Sequence, residues 1–128
     1  MNGRFLLDTN IVIGLFKDDE GIKMGMSSGA VYLPVVAVAE LYFGAARSGR
    51  PVANRALVDD FISGLVVINC DLEVARAYGL LKSVLRAQGT PIPDNDIWIA
   101  AIASTHQLPL VTRDKHFLKI PGLELVQW

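Results

Sequence analysis

The chain has a single cysteine, no long hydrophobic run and almost no net charge. Cys70 alone excludes an intrachain disulfide and suits a reducing cytosol. The longest apolar run covers residues 31–39, far short of the roughly 20 residues that a membrane-spanning helix needs. The N-terminal apolar run contains Asp8 and Asn10 and has no small-residue cleavage site, so it does not resemble a secretory signal. We therefore expect a soluble, cytoplasmic protein with no membrane partner.

Length and composition predict one domain. At 128 residues the chain can bury a core without disulfides or a structural metal, so we expect a single domain over residues 1–128. Hydrophobic residues make up 52% of the chain before its 11 glycines are counted. Soluble domains usually have about 45–50% with glycine included, so some apolar surface is expected to bind a partner.

The pattern of apolar residues predicts an α/β fold with a central, mostly parallel sheet of about five strands. Short β-leaning runs alternate with longer stretches of helical period. Strands are predicted at residues 4–7, 30–33, 65–69, 108–112 and 123–126. Helices are predicted at residues 35–47, 52–63 and 94–106, and from the capping residue Asp71 to Gly89, whereas residues 18–29 show only a weak helical pattern.

Four acidic residues, Asp8, Glu40, Asp96 and Asp114, stand beside or inside apolar segments. Asp8 follows the first predicted strand and Asp114 follows the fourth. The carboxyl ends of parallel strands meet at one edge of a sheet, so these side chains are expected to converge. Close carboxylates repel by roughly 4 kcal/mol per pair at about 4 Å and an effective dielectric near 20. A hard cation such as Mg²⁺ or Mn²⁺ removes that penalty.

Each acid also has a simpler explanation when it is taken alone. Asp8 could cap the first helix, Glu40 could be an exposed or ion-paired helical residue, and Asp114 lies in a good turn sequence. Asp94 and Asp96 point about 200° apart within a helix, so both cannot face one metal. We assign the helix cap to Asp94 and the ligand to Asp96, and the choice between them stays open.

The conjunction of motifs is more specific than any one of them. In order, the chain contains LLDTN at residues 6–10, VAEL at 38–41 with Gly44 following, DIWIAA at 96–101, and LVTRD at 110–114 with His116 and Phe117 following. Together these resemble the PIN-domain family, and more narrowly the VapC-type toxins of bacterial and archaeal toxin–antitoxin operons. The likeness covers essentially the whole chain, including residues 121–123 and the final Trp128.

The resemblance implies a PIN-like three-layer sandwich, a homodimer, and Mg²⁺- or Mn²⁺-dependent endoribonuclease activity on structured or loop RNA, with tRNA or ribosomal RNA as the substrate. It also implies a cognate antitoxin that covers the cleft and an apolar groove. The resemblance assigns metal-binding and catalytic roles to Asp8, Glu40, Asp96 and Asp114. Supporting roles pass to Asn10 and Thr112, and Asp94 is an extra carboxylate near the ligand position.

The expected chemistry is water attack on a phosphodiester, without a covalent nucleophile. Arg113 and Lys115 flank Asp114 and are predicted to bind the RNA backbone, although solvated loop charges explain them equally well. With the four candidate ligands set aside, nine acids face twelve Lys and Arg residues, which leaves about +3 to attract phosphate. His106 and His116 are weaker candidates for a role in the site.

Two other functions compete with this hypothesis. The first is a catalytically silent PIN-like module that binds RNA or protein, although all four acids are present here. The second is phosphoryl transfer with Asp8 as the nucleophile, for which Lys115 is the sole nearby lysine.

Overall fold

A five-stranded parallel sheet organises residues 3–128, the part of the chain that the computed structural model describes. The strand order is β3-β2-β1-β4-β5, and every neighbouring pair is parallel. The strands are β1 (Gly3–Leu7), β2 (Gly29–Pro34), β3 (Val66–Ile68), β4 (Leu110–Val111) and β5 (Leu125–Val126). The predicted α/β fold with five strands is confirmed.

Four of the six α-helices in the described residues begin and end near the residues that the sequence predicts. The helices are α1 (Thr9–Phe16), α2 (Glu20–Met26), α3 (Val35–Ala46), α4 (Pro51–Ser63), α5 (Leu72–Ala87) and α6 (Asp94–His106), with a short 3-10 helix at Lys115–Lys119. The four predicted helices are α3 to α6. Asp71 caps α5 as predicted, because its carboxylate accepts a hydrogen bond from the Val74 backbone N–H at 3.0 Å. The weakly patterned residues 18–29 contain α2, which Asp19 caps in the same way.

The fourth strand is shorter than its predicted range of residues 108–112. Pro109 has no backbone N–H to donate to a neighbouring strand, and regular pairing therefore begins only at Leu110. The Pro109 carbonyl still accepts a hydrogen bond from the Leu6 N–H at 2.9 Å, and the Val111 carbonyl accepts one from the Asp8 N–H at 3.0 Å. The end of β1 is therefore held firmly against β4.

Two hydrophobic cores lie on opposite faces of the sheet. Successive residues of a strand point to opposite faces, and Leu6 belongs to one core while Leu7 belongs to the other. Helices α5 and α6 supply most of the first core, whereas α1, α3 and α4 contribute to the second. The result is the three-layer sandwich that the resemblance to the PIN-domain family implies.

No helix in residues 3–128 is long and apolar enough to cross a membrane. That the chain forms one domain over residues 1–128 stays a prediction, and residues 1 and 2 lie outside the described range.

Candidate metal centre

The four predicted acids line one cavity at the carboxyl edge of the sheet. Asp8 directly follows β1, and Asp114 lies just beyond β4, which pairs with β1 through Leu7 and Val111. Glu40 comes from α3 and Asp96 from the first turn of α6. The cavity has a volume of about 810 Å³ and is lined by Asp8, Thr9, Asn10, Ile13, Ala39, Glu40, Phe43, Pro93, Asp94, Asn95, Asp96, Asp114 and His116. The fold therefore brings together carboxylates that are up to 106 residues apart in sequence.

Asp8 both caps a helix and faces the cavity. Its Oδ1 accepts a hydrogen bond from the Thr9 backbone N–H at 2.8 Å, and its Oδ2 accepts one from the Thr112 hydroxyl at 2.8 Å. The side chain is 4% exposed. Burial raises the pKa of Asp8 to about 6, and the negative charges of Asp96 and Asp114 add to that rise, while the two hydrogen bonds oppose it. Asp8 therefore caps α1 and also lines the cavity, and its role as a metal ligand stays a prediction.

Glu40 is tied to the Asp8 segment by a threonine that sequence reasoning did not select. The Thr9 hydroxyl donates a hydrogen bond to Glu40 Oε1 at 2.6 Å. Thr9 is buried, and it is the first residue of α1 while Asp8 is the cap of that helix. Its position directly after Asp8 was the available signal, but the partner on α3 is 31 residues away and could not be read from the sequence.

Asp96, Asp114 and His116 form the tightest group of possible metal ligands in the described residues. One ligand atom from each lies within 4.8 Å of the others. His116 Nδ1 is 3.2 Å from Asp96 Oδ2 and 3.2 Å from Asp114 Oδ1. Burial raises the pKa of Asp96, the charges of Asp114 and Glu40 raise it further, and the contact with His116 opposes the rise.

Thr112 links the two strand-end carboxylates. Its hydroxyl oxygen accepts a hydrogen bond from the Asp114 backbone N–H at 3.0 Å while the hydroxyl donates to Asp8. Asn10 is exposed at the rim of the same cavity. The positions of both residues are compatible with supporting roles, which stay predictions.

The prediction that Asp94 caps α6 is wrong. Pro93 occupies the capping position, and no side-chain hydrogen bond caps this helix. The Asp94 carboxylate instead accepts hydrogen bonds from Lys82 Nζ at 3.0 Å and the Tyr78 hydroxyl at 3.1 Å, both on α5. These partners hold the pKa of Asp94 below its usual value. Asp94 is thus engaged by α5, whereas Asp96 contacts His116 near Asp114.

Arg113 binds groups within the protein itself. Its guanidinium binds the Asp19 carboxylate at 2.8 and 3.1 Å and the Trp128 carbonyl oxygen at 2.6 and 2.9 Å. Lys115 is exposed, and neither basic residue lines the carboxylate cavity. The substrate-binding roles of both stay predictions, and for Arg113 such a role would have to compete with these contacts.

The donors in the cavity fit a divalent cation. Carboxylate oxygens are the ligands that Mg²⁺ and Mn²⁺ prefer, and the single imidazole nitrogen suits a first-row transition ion. Burial is the main cause of the raised pKa values of Asp8 and Asp96, and the charges of the neighbouring carboxylates add to it. A bound cation would favour the ionised forms of both acids. The arrangement can bind a metal ion and, through it, a phosphate group.

Comparison with known proteins places these features in a family context. The PIN domain family matches residues 5–123. Ribonuclease VapC2 of Haemophilus influenzae is 34% identical over 129 aligned positions, which cover 98% of each chain. The tRNA(fMet)-specific endonuclease VapC of Salmonella typhimurium is 33% identical, again over 98% of each chain. The crystal structure of the DNA-bound VapBC from Salmonella typhimurium has a chain that superposes with a TM-score of 0.90 at 32% identity, over 100% of this chain and 99% of that one.

Proposed function

The chain belongs to the PIN-domain family, and we propose that it is a VapC-type endoribonuclease that acts as the toxin of a toxin–antitoxin pair. The observation that carries this proposal is the convergence of Asp8, Glu40, Asp96 and Asp114 on one cavity at the carboxyl edge of the sheet. Relatives named as ribonucleases match over nearly the full length of both chains, which supports RNA as the substrate. We place the activity in the cytoplasm, where RNA is available.

These four carboxylates are the proposed ligands of a Mg²⁺ or Mn²⁺ ion. When bound, the cation would ease deprotonation of a water molecule and offset the negative charge that develops on the phosphoryl oxygens. Asp96 rather than Asp94 is the proposed ligand on α6, because Asp94 is already held by Lys82 and Tyr78.

The surrounding polar groups fix the direction in which the carboxylates point. The Thr9 hydroxyl donates a hydrogen bond to Glu40 and the Thr112 hydroxyl donates one to Asp8, so each hydroxyl orients a candidate metal ligand. Asp94, through its contact with Lys82, holds the first turn of α6 against α5 and thereby positions Asp96. These contacts set the ligand positions before RNA binds, which is how a protein avoids reorganising its charges during the reaction.

Apolar side chains in the cavity wall are the proposed contact for two partners, the RNA substrate and the antitoxin. Phe43 is 63% exposed and Ile13 37% exposed, and both line this cavity beside the carboxylates. We propose that an unpaired RNA base contacts these apolar side chains during cleavage, and that a segment of the cognate antitoxin covers them in the inhibited complex.

Leu80 and Val84 are also exposed, one turn apart on α5, which supports the proposal of a homodimer.

Growth and RNA cleavage in bacteria test this proposal. The wild-type chain, Asp8→Asn and Asp60→Asn would each be induced without an antitoxin, and new RNA 5′ ends would be mapped. We expect the wild type and Asp60→Asn to arrest growth and cut RNA at a discrete site, because Asp60 is exposed on α4 outside the cavity. We expect Asp8→Asn to do neither. Co-expression of the antitoxin should restore growth.

The purified protein provides the second part of the test. Cleavage should stop in a chelator and return with Mg²⁺ or Mn²⁺. A folded wild-type protein that leaves RNA uncut in both settings would contradict the nuclease proposal and favour the silent binding module. Equal cleavage by the wild type and Asp8→Asn would contradict the assignment of the site.

A further inference from the structure

His116 places an imidazole nitrogen beside two of the proposed metal ligands. Its Nδ1 is 3.2 Å from Asp96 Oδ2 and also 3.2 Å from Asp114 Oδ1. Asp114 caps the 3-10 helix at Lys115–Lys119 by accepting a hydrogen bond from the His116 backbone N–H at 2.9 Å. The next residue, Phe117, is fully buried and anchors this turn in the core. The local backbone therefore aims the ring at the carboxylates.

The two distances from His116 Nδ1 match those between neighbouring ligands of a single metal ion. Two donor atoms about 2.1 Å from one octahedral cation and at right angles to each other lie about 3.0 Å apart. The two separations from Nδ1 are close to this value. They also match hydrogen bonds, but one Nδ1 proton can only be shared between the two carboxylates, whereas a cation can bind all three groups at once.

We propose that His116 is a nitrogen ligand of the divalent cation, beside Asp96 and Asp114, and that it biases the site toward Mn²⁺ over Mg²⁺. The inference rests on the proposed function, since it concerns the same metal site. Mg²⁺ takes oxygen ligands and keeps several waters. Mn²⁺ also favours oxygen ligands, but it is a softer ion than Mg²⁺ and therefore binds an imidazole nitrogen more strongly. A neutral imidazole also adds a donor without adding negative charge to a site that must admit an RNA phosphate.

The composition of the chain makes this inference easy to test, because it contains only two histidines. His106 is exposed at the end of α6 and does not line the cavity. His106→Gln is therefore a matched control for His116→Gln.

Pulsed electron paramagnetic resonance on the untagged, Mn²⁺-loaded protein detects nitrogen bound to the metal directly. We expect electron spin-echo envelope modulation from ¹⁴N in the wild type, replaced by ¹⁵N modulation when the protein is grown with ¹⁵N-histidine. His106→Gln should keep this signal and His116→Gln should lose it. If His116→Gln does not fold, the labelled wild type and His106→Gln still identify the bound histidine by elimination.

Metal titrations give a second readout that does not depend on catalysis. Loss of His116 should weaken Mn²⁺ binding by about tenfold or more, while Mg²⁺ binding changes by less than about threefold. His106→Gln should leave both affinities unchanged. Equal losses for the two metals would overturn the proposed bias.

The outcomes separate this inference from the function on which it rests. Mn²⁺ bound by the wild type without histidine modulation would show that His116 only hydrogen-bonds the carboxylates, and the inference would fail while the nuclease proposal stands. A wild-type protein that binds Mg²⁺ but no Mn²⁺ would overturn this inference alone. A wild-type protein that binds neither ion and leaves RNA uncut would contradict the nuclease proposal as well.

Discussion

Replacing Asp8 with asparagine should change how the stability of the metal-free protein depends on pH. Burial, supported by the charges of Asp96 and Asp114, raises the pKa of Asp8 from 3.8 to about 6. A rise of this size corresponds to about 3 kcal/mol of unfavourable free energy when the side chain is ionised in the folded state. Asp8 is 4% exposed, so solvent screening reduces this value little.

The sign follows from proton binding in the two states. Between pH 3.8 and about pH 6, folded Asp8 holds a proton that the unfolded chain has released. Stability from this group is therefore fully present below pH 3.8 and is lost as the pH rises through about 6. The asparagine of the Asp8→Asn variant would resemble the protonated acid. The amide oxygen can still accept a hydrogen bond from the Thr9 backbone N–H. The amide nitrogen can donate one to the Thr112 hydroxyl, because a hydroxyl oxygen accepts as well as donates.

Urea unfolding in a chelator, at several pH values from about 4 to about 8, measures this difference. We expect the wild type to lose up to about 3 kcal/mol relative to Asp8→Asn over that range, so that the variant is the more stable protein at the alkaline end. Asp60→Asn, which changes an exposed carboxylate on α4, should follow the wild-type curve. Parallel curves for the wild type and Asp8→Asn would refute the argument that burial of Asp8 is costly.

Two further substitutions test the framework around the site. Thr112→Val removes the buried hydroxyl that donates a hydrogen bond to Asp8, and we expect a loss of about 1–3 kcal/mol in the free energy of unfolding by urea. Thr112→Ser keeps the hydroxyl and should lose less. Equal losses for the valine and serine variants would contradict a role for the hydroxyl. Gly25→Ala would overlap the Trp128 ring and should cost about 1–3 kcal/mol by thermal unfolding, whereas Gly79→Ala enters open space on α5 and should be neutral or stabilising. A Gly25→Ala protein as stable as Gly79→Ala would show that the C-terminal ring moves away freely.

The fold was largely predictable because its signals are local. The alternation of short β-leaning runs with helical stretches predicts the order of elements, and the side chain of Asp71 marks the start of α5. The ends of the elements were less predictable where backbone chemistry intervenes. Pro109 shortens β4 because it lacks an N–H, although its apolar neighbours favour a longer strand.

The four acids of the site were predictable for a different reason. Parallel strands carry their carboxyl ends to one edge, so Asp8 and Asp114 were expected at the same edge of the sheet. The pairing of β1 with β4, which the sequence did not predict, makes them neighbours. The partners of individual side chains were not predictable in this way. Arg113 donates a hydrogen bond to Asp19, which is 94 residues away in the sequence, and Asp94 accepts one from Lys82 on a neighbouring helix. Such choices depend on helix packing and rotamers, which no local pattern records.

The rest of the fold offsets the cost of the buried carboxylates. Leu7 and Val111, the strand residues nearest the site, are fully buried, as is Ile11 of α1, and they belong to a core that extends away from the cavity. This core does not need the charge of Asp8, because ionisation of that residue opposes folding. A protein with asparagine in its place should therefore fold at least as well at neutral pH. Loss of RNA cleavage in Asp8→Asn would then report missing chemistry rather than a missing structure, which makes this one substitution decisive for the proposed function.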